Sequence, residues 1–149
     1  MLEAQCELEA PCARLASQRM SSVEKGLLES LHERVVVVAR DGNVADYLTL
    51  NHEFHDHICS GVHNVTLWAM ANNLRERLAP FRQVQAERDQ QRMARAVQEH
   101  QVIVEGIRSA VLEKSYEAMR AHNGRQGSSV MVILQQRLAF SGNDKGGAG

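Results

Sequence analysis

The sequence predicts an all-α fold, and three observations carry the prediction. Apolar residues recur at helical rather than strand spacing along most of the chain. Only two prolines, Pro11 and Pro80, occur in 149 residues, and Gly142, Gly146, Gly147 and Gly149 place four of the ten glycines close to the end. The body is therefore nearly free of helix breakers. Hydrophobic residues make up 44% of the chain, enough to fill the single core expected at this length. Short connections between amphipathic helices favour antiparallel packing, so the expected architecture is a bundle of about six or seven helices enclosing a cavity.

The elements follow in order. Leu2 to Met20 reads as a first helix with Leu8, Cys12 and Leu15 on one side, and Pro11 calls for a kink or a later start. Ser21-Ser22-Val23-Glu24 fits a capping box that opens a second helix, with Leu27, Leu28, Leu31, Val35 and Val38 as its stripe. Val35 to Val38 alone would favour a strand, but the stripe running through it predicts helix. Asp41-Gly42-Asn43 ends that helix as a turn. A third helix spans about Val44 to Ser60 and stops at Gly61. A fourth begins near Asn64, with Leu67, Met70, Leu74, Leu78 and Phe81 facing inward and a bend at Pro80. The polar stretch Gln83 to Gln91 reads as a helix end or solvated extension. A fifth helix covers Gln91 to Val111, with Met93, Val97, His100, Ile103 and Ile107 in register. A sixth runs from Ser115 to Phe140 through Met119, His122, Val130, Ile133 and Leu138. Residues 1–140 form the expected domain and 141–149 a flexible tail.

Charge and composition narrow the function. Net charge is −1 and the isoelectric point is near 6.7, which argues against nucleic-acid binding by this chain alone. The cysteines Cys6, Cys12 and Cys59 are odd in number and show no CxxC spacing, so they read as thiols in a reducing compartment. The start lacks the basic and apolar regions of a signal peptide, and the longest apolar run, Val35 to Ala39, is far too short for a membrane span. A cytoplasmic protein is expected.

Candidate chemistry centres on Asn51-His52-Glu53-Phe54-His55. The apolar residues around it, Val44, Tyr47, Leu48, Phe54, Ile58 and Val62, follow a helical period that puts Asn51 and His55 on one inward face, one turn apart. His100 and His122 fall on the apolar stripes of two other helices. His52 and His57 are rotated off their stripe, His63 sits in a turn, and His32 borders the outer face of helix 2. Any one inward histidine is ordinarily a satisfied core residue. Three together with an inward amide make metal ligation an even match for that reading, because neutral imidazole is the commonest transition-metal ligand. Such a site would keep positions open for a functional ligand. A di-iron carboxylate bundle is rejected, since only Glu29-Ser30-Leu31-His32 has ExxH form. A metallohydrolase would want a carboxylate base, and Glu53 and Asp56 point away from the stripe.

The ordered series Asn51-x-x-Phe54-His55, Leu74-Arg75-x-Arg77-Leu78, Glu99-His100-x-x-Ile103 and Met119-x-x-His122 resembles the FCD domain. This is the effector-sensing C-terminal domain of FadR-type regulators in the GntR family of bacterial transcription factors. The resemblance covers Leu8 to Phe140. It implies a helical antiparallel bundle around a cavity, a divalent metal held by Asn51, His55, His100 and His122, and a homodimer. The family's first ligand is most often Asp; Asn51 in its place should favour zinc or nickel over magnesium. Family members carry an N-terminal winged helix-turn-helix that binds DNA, and none is read ahead of Leu2.

The leading expectation is a non-enzymatic, ligand-sensing and dimerisation domain. A small carboxylate effector would bind the metal's open position at one end and a guanidinium at the other. Arg77 is the candidate cation, being in phase with Met70, Leu74 and Phe81; a surface arginine alongside Arg75 is an equal reading of it. The alternatives are a small metal-dependent hydrolase or lyase and a metal-free structural dimerisation module. Trp68 and the Val35–Val38 run supply surplus apolar surface for an oligomer.

Overall fold

A computed structural model of the chain describes residues 1–143. The described residues form six α-helices and no strand: α1 Leu2–Arg19, α2 Ser22–Arg40, α3 Val44–Ser60, α4 Val65–Arg88, α5 Gln90–Arg108 and α6 Leu112–Asn143. The connections are short, and side chains close most of them. The Ser21 hydroxyl accepts from the Glu24 amide while the Glu24 carboxylate accepts from the Ser21 amide, completing the expected capping box. The side-chain oxygens of Asn43 and Asn64 cap α3 and α4 by accepting from the Asp46 and Leu67 amides. Asp89 is the single residue between α4 and α5, and its carboxylate accepts from the Arg92 amide. The polar run after Gln83 is thus helical as far as Arg88. Residues 141–143, assigned to the tail from sequence, continue α6; the rest of that tail lies outside the described residues.

The helix α1 is the central element. It packs along α6 and also touches α3, α4 and α5. Its buried face is Gln5, Glu9, Ala10, Cys12, Ala13, Ala16 and Ser17, while Leu8 and Leu15 lie half-buried at its edges. Small side chains let a helix sit close to its neighbours, so this face, not the leucine face, turns inward. Pro11 lies within the helix, which starts at Leu2 and not later. At the far end, a side chain at Gly106 would meet the Ser115 backbone nitrogen at 2.8 Å, so glycine permits the close approach of α5 to the start of α6.

The orientation of α4 corrects the sequence reading. Of the expected stripe only Leu78 is buried; Met70 is 53% exposed, and Leu67, Leu74 and Phe81 are intermediate. The face that turns inward carries Ala71, Arg75, Leu78, Arg82, Gln85 and Ala86. The reason is a polar interior. Arg75 meets Glu9 of α1, and Gln85 exchanges hydrogen bonds with Gln126 of α6 through its side chain and backbone. The buried bonds that Arg75 and Gln85 make there outweigh the modest gain from turning half-exposed leucines inward. Among the described residues, no helix is long and apolar enough to cross a membrane.

Candidate metal centre

Three helices deliver one histidine each to a common point. His55 of α3, His100 of α5 and His122 of α6 are 1%, 0% and 2% exposed, and each offers a ring nitrogen within 4.8 Å of the others. Their ring centroids stand 5.2 Å (His55–His100), 5.2 Å (His55–His122) and 4.7 Å (His100–His122) apart. Phe54, the residue before His55, stacks on the His100 ring at 4.3 Å and fixes its plane. Burial pushes all three imidazoles below their usual range, and for His100 the neighbouring His122 and His55 add to the effect. All three are therefore neutral near pH 7, with lone pairs to offer.

Carboxylates behind two of the rings orient them. Glu99 Oε2 lies 2.7 Å from His122 Nδ1, and Arg92 grips the same carboxylate with two hydrogen bonds of 3.0 and 2.7 Å. Burial would raise the pKa of Glu99, but the hydrogen bonds from His122 and Arg92 outweigh it and bring it to about 2. A carboxylate on Nδ1 leaves Nε2 for a metal, the usual backing of a metal-bound histidine. On the other side, His55 Nδ1 lies 3.2 Å from Glu9 Oε2, in reach but off the line of a good hydrogen bond.

The residues fit a metal on a direct observation. His55 Nε2, both ring nitrogens of His100 and Asn51 Oδ1 are buried with no hydrogen-bond partner. Unsatisfied groups of this kind cost about 1–3 kcal/mol each. Asn51 itself is 4% exposed and lies one turn before His55. A borderline-soft divalent cation would satisfy imidazole nitrogens and an amide oxygen together.

The structure also shows buried charged groups beside the cluster that periodicity did not reveal. Glu9 is fully buried: its Oε1 accepts from Arg75 (2.6 Å) and Gln5 (3.0 Å), and its Oε2 from Asn123 (3.0 Å). Burial would raise its pKa, but Arg75 and then His55 hold the carboxyl well below the ordinary range. Two spacings carried the signal: Gln5, Glu9 and Ala13 share one face of α1, and Arg75 and Arg82, seven apart, share the face of Leu78 on α4.

Two readings are corrected. Arg77 is exposed, on the outer side of α4, and the guanidinium beside the histidines is that of Arg75. The phase through Met70, Leu74 and Phe81 traced the outer face of the helix. His32, assigned to the outside of α2, is 5% exposed; it pairs with Gln101 at 3.0 Å and sets its ring edge-on to His100 at 6.2 Å. His57 stays outside the cluster, bonded to the Glu24 carbonyl at 2.8 Å.

A family model for the FCD domain matches residues 1–125, and the chain belongs to that family. Comparison with curated proteins gave no significant match. Ten chains of solved structures match. One is McbR/YncC of E. coli, at 16% identity and a TM-score of 0.79 over 91% of this chain. The chain spans 63% of the length of that structure, and the likeness is one of fold.

Proposed function

We propose that this chain is the effector-sensing domain of a cytoplasmic GntR-type transcriptional regulator. In this reading His55, His100, His122 and Asn51 hold a divalent metal whose open positions receive a small organic acid. The convergence of three neutral, buried and partly orphaned imidazoles in an FCD domain carries it. When bound, the metal would supply fixed positive charge for an oxyanion. The donor set is free of carboxylate, which suits zinc or nickel better than magnesium. Regulation would follow if the acid binds one domain arrangement more tightly than another. Glu9 and Glu99, the two carboxylates that touch the histidines, are already held by Arg75 and Arg92, and Asp56 is taken by the Trp68 indole N–H at 2.7 Å. Among the described residues no carboxylate without a partner stands at the cluster, which favours a sensor over a hydrolase.

Metal analysis of the purified chain tests the reading, followed by thermal unfolding of stripped and reloaded protein with and without acetate or citrate. A metal near one per chain and an acid-dependent shift only in the loaded protein are expected. Metal-free protein that takes up neither zinc nor nickel would refute it.

Two further outcomes belong to this reading. The chain forms a homodimer, and the half-exposed Leu67, Leu74 and Phe81 together with exposed Met70 on the outer face of α4 supply apolar surface for it. Analytical ultracentrifugation at micromolar concentration checks this, and a monomer counts against it. The 149 residues alone do not bind duplex DNA specifically, as their net charge of −1 leaves no concentrated positive field. A salt-sensitive, sequence-selective gel shift would contradict that.

A further inference from the structure

We propose that the cleft between α3 and α4 is the anion port of the effector site and that Arg82 is the side chain that grips the anion. The inference rests on the effector reading for its biological meaning, but its test needs no metal.

The interior holds more positive than negative side-chain charge. Three guanidiniums, Arg75, Arg82 and Arg92, are 2%, 7% and 4% exposed. Two carboxylates, Glu9 and Glu99, face them. Arg75 is committed to Glu9 at 2.6 Å, and Arg92 to Glu99 in a two-bond fork. Arg82 has no carboxylate within ion-pair distance among the described residues. Its Nη1 donates to the Arg75 carbonyl oxygen at 3.2 Å, and that neutral acceptor does not balance its charge. Burial, with Arg75 nearby, lowers its pKa to about 9. A buried cation left without a counter-charge is expensive, and the expense is tolerated where a ligand supplies the missing charge.

The cleft makes that ligand accessible. It is an open cleft of ≈ 690 Å³ lined by Leu48, Asn51, Arg75, Pro80 and Arg82, and also by Glu53 and Glu76, whose side chains are exposed to solvent. It therefore reaches from solvent to Asn51 at one side and to Arg82 at another. The chemistry that matches is a compact oxyanion, a carboxylate or a phosphate, since a guanidinium fork binds either through paired N–H···O bonds. Arg77 is exposed on the outer face of α4 and does not line this cleft. Apolar residues of the cleft such as Leu48 and Pro80 leave room for a short hydrocarbon segment beside the anion.

The test uses the metal-free 149-residue chain, titrated calorimetrically with sodium succinate and with inorganic phosphate at matched ionic strength against chloride. Saturable binding of at least one probe is expected, and which one binds identifies the anion class. Arg82→Gln should weaken that binding about tenfold or more, the loss typical of one charge-assisted contact. It should also raise the melting temperature of the empty protein by removing an uncompensated buried charge. Arg77→Gln should bind as the wild type does. Ala79→Glu, at an exposed position in the lining of the cleft, threatens no core packing and should weaken binding by like-charge repulsion. Equal affinity in Arg82→Gln and wild type, or no binding of either probe, overturns the proposal. Anion binding that appears only after metal loading would spare the metal reading and overturn this one; Arg82-dependent binding in a chain that takes up no metal would do the reverse.

Discussion

His100→Ala is expected to weaken metal binding by about 100-fold or more, while His57→Ala leaves it unchanged. His100 is fully buried, and neither of its ring nitrogens has a protein partner. Its removal takes one of three imidazoles and leaves a cavity against Phe54. Loss of a second-sphere group alone typically costs 10–100-fold, so about 100-fold is a lower expectation for a direct ligand. The readout is thermal stabilisation by added zinc. A metal in hundredfold excess over its dissociation constant stabilises the folded state by about 2.7 kcal/mol, and the variant should lose most of that. His57→Ala also deletes an imidazole, from the same helix as His55, but what it removes is a hydrogen bond to the Glu24 carbonyl. A destabilisation of roughly 1 kcal/mol with an intact metal response is expected. Zinc stabilisation that survives in His100→Ala and disappears in His57→Ala would place the ligands on the other face of these helices.

The contrast between those two histidines shows what was legible in the sequence. On α3 and α5 the inward stripes are mostly apolar, so helical phase places Asn51, His55 and His100 inside; on α6 buried Met119 and Val130 do the same for His122, although Ser115 and Asn123 share that face and Leu138 is 72% exposed. The capping box of α2 is equally local and was readable for the same reason. On α1 and α4 the inward face is small or charged. Phase drawn through the largest apolar residues then misses the inward face of α4, where Met70 is 53% exposed, and on α1 it finds the edge of that face: Cys12 is buried, while Leu8 and Leu15 pack half-buried against the core. That phase points to Arg77 and leaves Arg75 beside it on the surface. The deciding partner for Arg75 is Glu9, 66 positions away, and nothing local to either helix announces the pair. His32 was misplaced for a related reason: its fixing contact, Gln101, lies on α5. Long-range polar satisfaction decides these orientations, and a helical period carries no information about it.

The Glu9–Arg75 pair is expected to show the largest stability coupling in the molecule. Glu9→Gln removes the charge that Arg75 faces at 2.6 Å with both side chains almost wholly buried. It leaves Arg75 and Arg82 as two uncompensated cations in one interior. Breaking a buried pair from one side typically costs about 3–5 kcal/mol, a large part of the roughly 5–15 kcal/mol that holds a domain folded. Arg75→Met alone should cost a similar amount. It strands a buried carboxylate, although Gln5 and Asn123 still donate to it and should keep the loss at the lower end. The double variant Glu9→Gln with Arg75→Met removes both charges, and a pair of neutral side chains needs no counter-ion. It should therefore be more stable than the sum of the single losses by at least about 1.5 kcal/mol, within the range measured for residues in contact. Urea denaturation of the four proteins closes the cycle. Simple additivity would mean that Glu9 serves Asn123, Gln5 and His55 more than Arg75, and that Arg75 finds its balance elsewhere. A double variant that gains stability yet loses succinate or phosphate binding would show that the charges are kept for the ligand and not for the fold.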